Sequence, residues 1–473
     1  MTRPTNKLLE GPILGSLMKL AIPIVFANVL QSGYQLIDAF WVGRLGAAAV
    51  AAVSVSFPVM FLMLALGMGL AMAGSTLTAQ FRGAGNEAMV AHVAGQTLNM
   101  VAALSIVLSI AGYIGAPALL RLMGVAPDVY DGALGFMRVS FVALLFNFTF
   151  FVFQSIMRGV GRPALPVYIV AGTVLLNFIL DPLFIFGWGP VPAYGVMGAA
   201  IATLGTQVLA AVAGMVVLSA GKHGIHVRRR DFIPDLAYMK RAFLLGAPAS
   251  VDQSARALAL TVMTFLIASF GTATMASYGV GSNILQVVII PAFGLSMAIS
   301  TLAGQNIGAG KIERAASIGK LGAALSFGIL SLLAVIVFIW APAFAAFFVP
   351  HDPNVIAGAA HYLRIMAPAW GFMGVQLALN GVLRAAGNMV TAMMMTLASQ
   401  WVFQFPLAYV LSTHGGMGDS GIWWAFPVTN VLMAVISVIV YLQGNWKRTR
   451  LIAPDEKIEA AIAMEAEKEE TRH

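Results

Sequence analysis

Long apolar runs separated by short polar loops make up most of this sequence. A transmembrane helix needs about 20 apolar residues, whereas a transmembrane strand alternates over only about 10. Of the 473 residues, 59% are hydrophobic and 10% are charged, although soluble domains carry about 25% charged residues. The runs therefore exclude a soluble fold and predict an all-α integral membrane protein.

Twelve of these runs are long enough to cross a hydrocarbon core of about 30 Å. An even number of spans returns the chain to the side on which it starts. The predicted transmembrane helices lie at residues 16–42, 50–77, 92–118, 132–156, 163–187, 196–220, 241–268, 276–303, 316–341, 359–382, 388–411 and 421–443.

The basic residues lie mostly in the loops on one side of the predicted helices. The opposite side has little beyond Arg44 and Arg121. Because positive loops stay in the cytoplasm, both termini and the linker 221–240 are predicted there, in a multi-pass protein of the plasma (inner) membrane. The net charge of +8 thus reflects membrane topology, and no nucleic-acid partner is expected.

The two halves of the chain repeat each other at an offset of 225 or 226 residues (248−23, 383−157). Each copy has an even number of spans, so both share one orientation. This predicts two six-helix lobes related by a pseudo-twofold axis along the membrane normal. The matched markers are Pro23 with Pro248, Gly46 with Gly271, Gln80 with Gln305, QFRGAGN (80–86) with QNIGAGK (305–311), and MRGVGRP (157–163) with LRAAGNM (383–389).

The linker is the one long polar break inside the predicted membrane region. It divides the chain into an N-lobe at residues 1–220 and a C-lobe at residues 241–444, joined by residues 221–240. Residues 445–473 form a cytoplasmic polar tail, which we interpret as solvated and without a site.

Two acidic residues lie inside apolar runs, where a charged side chain is costly and seldom accidental. Asp38 lies in GYQLIDAFWV and Asp181 in TVLLNFILDPLFIF. Each acid lies 19 residues after a basic residue near the start of its span (38−19, 181−162), which is about 28 Å along the helix. This predicts that both acids lie at a similar depth, toward the outer side of the membrane. The matched positions of the second half are Met263 and Leu407. We therefore expect the acids to form a site in the first half alone.

Asn177 lies one helical turn before Asp181 and shares its helix face. Two neighbouring carboxylates in a low-dielectric site cannot easily both be ionised, so one proton or monovalent cation would neutralise the pair. No cofactor besides this ion is expected. Two alternatives stay open: Asp181 is a structural carboxylate beside Pro182, or Asp38 is an interfacial acid paired with Arg44. The predicted coupling site for H⁺ or Na⁺ consists of Asp38, Asn177, Asp181 and Thr203.

The first span carries a polar face that follows a proline. Gln31, Tyr34 and Asp38 are spaced by three and four residues, so they line one face of the helix. Pro23 has no N–H to donate and weakens the helix, which predicts a hinge, with a static kink as the alternative. The predicted substrate-pocket residues are Tyr34, Gln31 and, on the fourth span, Gln154.

Charged residues in other spans carry weaker signals. Asp252 and Arg256 lie one turn apart in the seventh span. They form either a mutually neutralising pair or a substrate or coupling contact in the second half. Arg138 and Arg364 lie near outer helix ends, where a snorkelling side chain is favoured over a binding role.

The sequence contains no recognisable catalytic constellation. It has no cysteines, its 7 histidines lack metal-ligand spacing, and its glycine loops lack a P-loop lysine. A membrane enzyme, as an alternative class, would need clustered polar catalytic residues at one membrane face. We therefore expect no enzymatic activity.

Taken together, these features resemble the MATE (multidrug and toxic compound extrusion) family over about residues 10–445. The resemblance rests on the duplicated twelve-span plan and on four sequence motifs. The motifs are Pro23…Gln31…Tyr34…Asp38, MRGVGRP, Asn177-x-x-x-Asp181-Pro182, and GVMGAAIAT at 195–203.

The resemblance implies an antiporter that exports organic, often cationic, compounds in exchange for H⁺ or Na⁺, with two lobes forming a V. Arg256 stands about where the NorM-like branch carries a glutamate, so the chain is more similar to the DinF-like branch, with coupling confined to the first lobe. In the family, the positions matching the predicted coupling residues form the first-lobe cation site, and those matching Tyr34 and Gln31 line the same pocket. We expect transport by alternating access.

Two other transporter classes are alternatives. A flippase of lipid-linked or amphiphilic substrates in the same superfamily needs a basic cavity, which only Arg256 is placed to face. A major-facilitator carrier usually has an Asp-Arg-Gly-Arg type signature after its second span, which QFRGAGN lacks. The expected partners are a small organic substrate and membrane lipid, and the chain is expected to be a monomer.

Overall fold

The computed structural model describes residues 7–350, 352–449 and 451–452. Within these ranges the chain forms helices joined by short turns, and its only β-type pairing is an isolated bridge between Trp188 and Val191. A helix satisfies its backbone N–H and C=O groups within one segment, which hydrocarbon surroundings require. The apolar runs of the sequence therefore became helices.

The first half forms seven α-helices within the described residues. The linker that follows them contains a 3₁₀-helix at Arg229–Phe232. The helices are α1 (Lys7–Glu10), α2 (Ile13–Gly43), α3 (Ala47–Ala84), α4 (Glu87–Leu122), α5 (Pro127–Val160), α6 (Ala164–Phe186) and α7 (Val196–Ser219).

The second half forms nine α-helices within the described residues. A 3₁₀ turn at Ala367–Ala369 joins two of them into one span, because Pro368 has no N–H for the α-helical ladder. The helices are α8 (Leu236–Ala268), α9 (Thr272–Gly308), α10 (Ile312–Ile339), α11 (Ala341–Phe348), α12 (Pro353–Met366), α13 (Trp370–Ala385), α14 (Met389–Leu397), α15 (Phe405–Tyr409) and α16 (Asp419–Gln443).

The helices match the predicted spans. Among the described residues, 11 helical segments are long and apolar enough to cross a membrane. The remaining predicted span, 388–411, is a broken helix in which π-helical turns at Ala398–Gln404 and Val410–His414 flank α15. Pro406 cannot donate to the preceding turn, which interrupts the α-helical ladder there. The short helix α11 was not predicted, because its eight residues continue the apolar run of α10.

The described residues form two compact units. The N-unit consists of Phe26–Gln253 with Ile452, and the C-unit of the residues up to Val25 with Ser254–Leu451. The unit boundaries therefore fall inside α2 and α8. The predicted lobes divide the chain instead at the linker, and that division stays a prediction about membrane topology.

The internal repeat is visible in the backbone. Gly46 and Gly271 precede α3 and α9 with φ/ψ values of 103°/−179° and 104°/171°, a conformation that side chains with a Cβ rarely adopt. Gly161 and Gly387, the fifth residues of the matched motifs MRGVGRP and LRAAGNM, have φ values of 88° and 86°. The two halves thus repeat backbone conformation as well as sequence.

Within the N-unit, two amide side chains of α4 hold the linker, Asn99 through one hydrogen bond to Phe232 O at 2.8 Å and Gln96 through three. Gln96 Nε2 donates to Asp231 O at 2.9 Å and to Ile233 O at 2.7 Å, and its Oε1 accepts from Asp235 N at 3.0 Å. Gly95 allows this approach, because a Cβ there would lie 2.2 Å from Asp231 O. The linker is therefore a docked segment along residues 231–235.

We expect Gln96→Leu to release this segment. Leucine keeps the buried volume but leaves three backbone groups of the linker without partners, at about 1–3 kcal/mol for each group that stays buried. Trypsin should then cut the detergent-solubilised protein after Arg228–Arg230 faster than it cuts the wild type. The control is Thr97→Val, an isosteric change at the next buried residue. Equal cleavage rates in Gln96→Leu and the control would contradict the role of Gln96.

Candidate functional site

The candidate site is built on the antiparallel helices α6 and α7. Gly198 lies so close to α6 that a Cβ there would be 2.3 Å from Phe184 O. Only glycine permits this approach of the two backbones. Residues after Gly198 therefore lie opposite residues before Phe184, which puts Thr203 across from Asn177 and Asp181.

Asn177 is the junction of a buried hydrogen-bond network. Its Nδ2 donates to Asp38 Oδ1 at 2.6 Å and to Asp181 Oδ2 at 2.9 Å. Its Oδ1 accepts from the Tyr34 hydroxyl at 2.8 Å. One fully buried amide thus uses both of its N–H groups and its oxygen. The network joins α2 to α6 through this side chain.

Two hydroxyl groups extend the network to α7. The Tyr34 and Thr206 oxygens are 2.7 Å apart, and Thr206 Oγ1 also lies 2.9 Å from Thr203 O. With one hydrogen on each hydroxyl, only two of the three contacts among Tyr34–Asn177, Tyr34–Thr206 and Thr206–Thr203 can be hydrogen bonds at once. Thr203 Oγ1 closes the network by donating to Asp38 Oδ2 at 3.5 Å. The same heavy-atom positions therefore support more than one proton arrangement.

The two carboxyl groups accept from the same Asn177 nitrogen, so they lie close together. Two carboxylates at short range in low-dielectric surroundings are not easily both ionised, so a shared proton or cation would stabilise the pair. Asp181 is fully buried, and its Oδ1 has no donor among the described residues, whereas Asp38 is partly exposed.

The donor arrangement fits a proton as it stands. Na⁺ would need oxygen ligands, yet Asn177 presents its N–H groups to both carboxyl groups and its oxygen to Tyr34. A Na⁺ ion would first require the Asn177 amide to turn over. In the described part of the chain, no group of three or more His, Cys, Asp or Glu side chains is placed to hold a metal.

The structure bears on the alternatives left open for the two acids. The Arg44 guanidinium stacks on Phe40 and Trp41, with Cζ 4.6 Å and 5.0 Å from the ring centroids. No ion pair between Arg44 and Asp38 occurs among the contacts of the described residues, and Asp38 accepts from neutral donors instead. Pro182 lies inside α6, which continues to Phe186.

A small cavity of about 20 Å³, which is room for about one water molecule, lies beside the network in the N-unit. Its lining includes all three predicted substrate-pocket residues, Gln31, Tyr34 and Gln154, together with Phe150 and Phe151. Tyr34 belongs to both the cavity and the network. A change in the hydrogen bonds of the carboxyl pair therefore reaches the cavity through one side chain.

The second half fills the equivalent positions with hydrocarbon. Met263 and Leu407, which match the two acids, belong to one hydrophobic cluster of the C-unit. Phe426, which matches Thr203 when Gly195 is aligned with Gly418 (426−203 = 418−195), packs on the same cluster. The polar network therefore occurs in one of the two repeats.

The remaining predicted residues lie outside the network. Pro23 lies inside α2, in the segment that belongs to the C-unit. Asp252 is 1% exposed in α8. Arg256, one turn later, donates from Nη2 to Thr396 Oγ1 at 2.8 Å within the C-unit. The hinge and the second-half contact stay predictions.

The sequence interpretation missed Thr206. This residue is fully buried and binds Tyr34. It follows Thr203 by three residues and so shares its helix face, which was the available signal. Polar residues that line the small cavity were missed as well, namely Asn147, Thr173 and Gln207.

Comparison with known proteins identifies the family. Residues 23–183 and 248–410 match the MatE family, once in each half of the chain. The chain belongs to the MatE family. The two matched segments begin at Pro23 and Pro248, the paired prolines of the repeat. The resemblance inferred from the motifs is confirmed, while assignment of this MatE protein to the DinF-like branch stays a prediction.

Relatives of this MatE protein align along nearly their whole length. The probable multidrug resistance protein YoeA of Bacillus subtilis is 29% identical, over 95% of this chain and 98% of that protein. An FAD transporter of Shewanella oneidensis is 27% identical, over 90% of this chain and 94% of that protein. A crystal structure of MATE in complex with MaL6 has a TM-score of 0.88 at 23% identity, over 93% of this chain and 98% of that chain. This likeness confirms the predicted fold class.

Proposed function

We propose that this MatE protein is a proton-coupled antiporter that exports small organic compounds by alternating access. One observation carries the proposal: hydrogen bonds run without a break from the Asp38–Asp181 pair through Asn177 and Tyr34 to the wall of a cavity. An ion-coupled exporter needs such a link, because an ion can drive transport only if its binding changes the substrate site.

Protonation is proposed to act through the Asn177 amide. A protonated carboxyl group becomes a donor and competes with the N–H groups that Asn177 supplies. The Tyr34 hydroxyl has one hydrogen, which it can donate to Asn177 or to Thr206. Rearrangement of the Asn177 amide therefore changes the favoured position of the Tyr34 side chain. Since Tyr34 lines the cavity, binding of the proton and binding of the substrate would exclude each other, so that proton uptake drives substrate release.

The proposed movement is a bend of α2 at Pro23. The same helix carries Gln31, Tyr34 and Asp38, so a bend would carry the cavity wall and one acid together. Neutralising Asp38 weakens its attraction for the Asn177 N–H groups, because hydrogen bonds to an ionised acceptor are the stronger ones. The proton would thus release the part of α2 that follows Pro23.

The proposed substrates are neutral or cationic aromatic compounds. The lining of the small cavity combines two phenylalanines with amide and hydroxyl groups and includes no charged side chain. Ligand pockets measure about 300–1,000 Å³, so the proposed movement would have to widen this cavity before it admits a substrate. The neighbouring carboxyl pair disfavours anions. Drug export, as in the names of several relatives, agrees with this lining, whereas an anionic dinucleotide such as FAD would need basic contacts.

The flippase alternative is less well supported. A pyrophosphate headgroup needs a basic cavity, and the lining of the small cavity contains no arginine or lysine. Arg256, the residue considered for that role, is engaged by Thr396.

Reconstituted vesicles can test the proposal directly. An imposed pH gradient at equal Na⁺ should drive transport of a cationic dye such as ethidium, and a Na⁺ gradient at equal pH should not. Transport driven by Na⁺ alone would overturn the proton assignment but keep antiport. No transport under either gradient, combined with rapid exchange of a fluorescent phospholipid between leaflets, would favour the flippase.

A further inference from the structure

A second, larger crevice of the N-unit has no role in the proposed transport cycle. It measures about 390 Å³ and lies among α4, α5 and α7. Most of its lining is apolar, for example Val142 and Leu204, and two charged residues of α5, Asp131 and Arg138, complete it. Apolar walls with few polar groups are typical of ligand sites.

Arg138 is the distinctive residue of this crevice. Its guanidinium lies over the Tyr113 ring, 5.0 Å from the centroid, and its buried Nε has no hydrogen-bond partner in the described part of the chain. An arginine among apolar side chains at membrane depth is costly unless an anion or backbone carbonyl pairs with it. The crevice thus contains a positive charge whose Nε has no hydrogen-bond partner in the described part of the chain.

The position of Arg138 along α5 indicates the headgroup layer. The helix has 34 residues and is about 51 Å long, which exceeds a hydrocarbon core of about 30 Å by about 10 Å at each end if the helix is centred. Asp131 is four residues from the start of α5, or about 6 Å, and Arg138 eleven residues, or about 16 Å. Asp131 therefore lies at headgroup level and Arg138 just beneath it.

The order of charges matches an ethanolamine phospholipid. In such a lipid the ammonium group lies nearest water, the phosphate beneath it and the acyl chains deepest. From the helix end inward, the crevice presents a carboxylate at Asp131, a guanidinium at Arg138 and hydrocarbon at Val142. Asp131 and Arg138 are seven residues apart (138−131), or about two helical turns, so they lie on one face of α5.

We propose that this crevice binds one phospholipid with an ethanolamine headgroup, its phosphate on Arg138 and its ammonium on Asp131. Guanidinium groups pair with phosphate through two parallel N–H···O bonds. The Asp131 carboxylate disfavours a purely anionic headgroup such as phosphatidylglycerol. Phosphatidylcholine fits less well, because its trimethylammonium group has no N–H to donate to Asp131.

Native mass spectrometry of the purified protein can test the site. Dioleoyl-phosphatidylethanolamine, -phosphatidylglycerol and -phosphatidylcholine would be added in turn, and the fraction of protein with one retained lipid measured. We expect preferential retention of the ethanolamine lipid by the wild type. Arg138→Gln should weaken it about tenfold or more, as loss of a charge-assisted pair does, and Arg138→Lys should weaken it less.

Two further variants sharpen the test. Asp131→Asn should abolish the preference for ethanolamine over choline headgroups while leaving phosphate binding by Arg138. Arg121→Gln removes an exposed arginine at the end of α4 and should leave retention unchanged. The proposal is overturned if Arg138→Gln retains the lipid as well as the wild type, if Arg121→Gln loses it equally, or if phosphatidylglycerol is retained best.

Discussion

Replacing Asp181 by asparagine should abolish ion-driven export and leave the fold intact. The substitution keeps the size of a fully buried side chain and its ability to accept from Asn177, but removes the only carboxyl group on α6. Without it, Asp38 has no carboxyl partner with which to share a proton. Dye transport driven by a pH gradient in vesicles should fall to the level of protein-free vesicles.

The matched control is Asp128→Asn. It removes one carboxylate from an exposed position in the first turn of α5, a helix that contributes no residue to the network. Its transport should equal that of the wild type, and both variants should elute as folded protein. Gradient-driven transport by Asp181→Asn at the wild-type rate would refute the coupling role of the acid pair.

The second large effect is expected for Asn177→Leu. Leucine is similar in size but supplies neither the two N–H bonds to the acids nor the oxygen for Tyr34. Two carboxyl oxygens then lose a donor at a buried position, at about 1–3 kcal/mol each. The protein should unfold at a lower temperature, and pH-driven transport should be lost because the acids no longer communicate with Tyr34.

A double-mutant cycle separates this network effect from simple destabilisation. If Asn177 stabilises the protein through Asp181, the losses of unfolding free energy in Asn177→Leu and Asp181→Asn should not add. The loss in the double variant should differ from the sum of the two single losses by about 0.5–3 kcal/mol. Thr149→Val is the control, because its hydroxyl donates only to Leu145 O within α5. Fully additive losses for the first pair would show that the two side chains act independently.

Much of the fold was predictable, because hydrocarbon permits few backbone solutions. The length of the apolar runs alone predicted the helices, and the spacing of Asn177 and Asp181 predicted that both lie on one helix face. The repeat showed that Met263 and Leu407 break the symmetry of the acids, and both lie in an apolar cluster. These features depend on local sequence or on the comparison of two halves.

Other features depend on how helices are rotated against each other. The position of Thr203 opposite Asn177 depends on the register that Gly198 and Phe184 set between α6 and α7. The meeting of Asp38 with Asn177 depends on the packing of α2 beside α6, and no local pattern encodes either arrangement. Arg138 was assigned to snorkelling from its position near a helix end. Its stacking on Tyr113, 25 residues earlier (138−113), depends on the packing of α4 against α5.

The division of α2 and α8 between the compact units affects how the protein is assembled during synthesis. The N-unit includes the first part of α8, where Ser250 Oγ donates to Leu66 O at 2.8 Å. The C-unit includes the first part of α2, where Leu17 and Leu20 are buried with Leu295. The N-unit therefore cannot be completed until the ribosome has passed the linker, and the C-unit retains a segment made at the very beginning. A chain cut at the linker would yield two fragments, each lacking a piece that only the other contains.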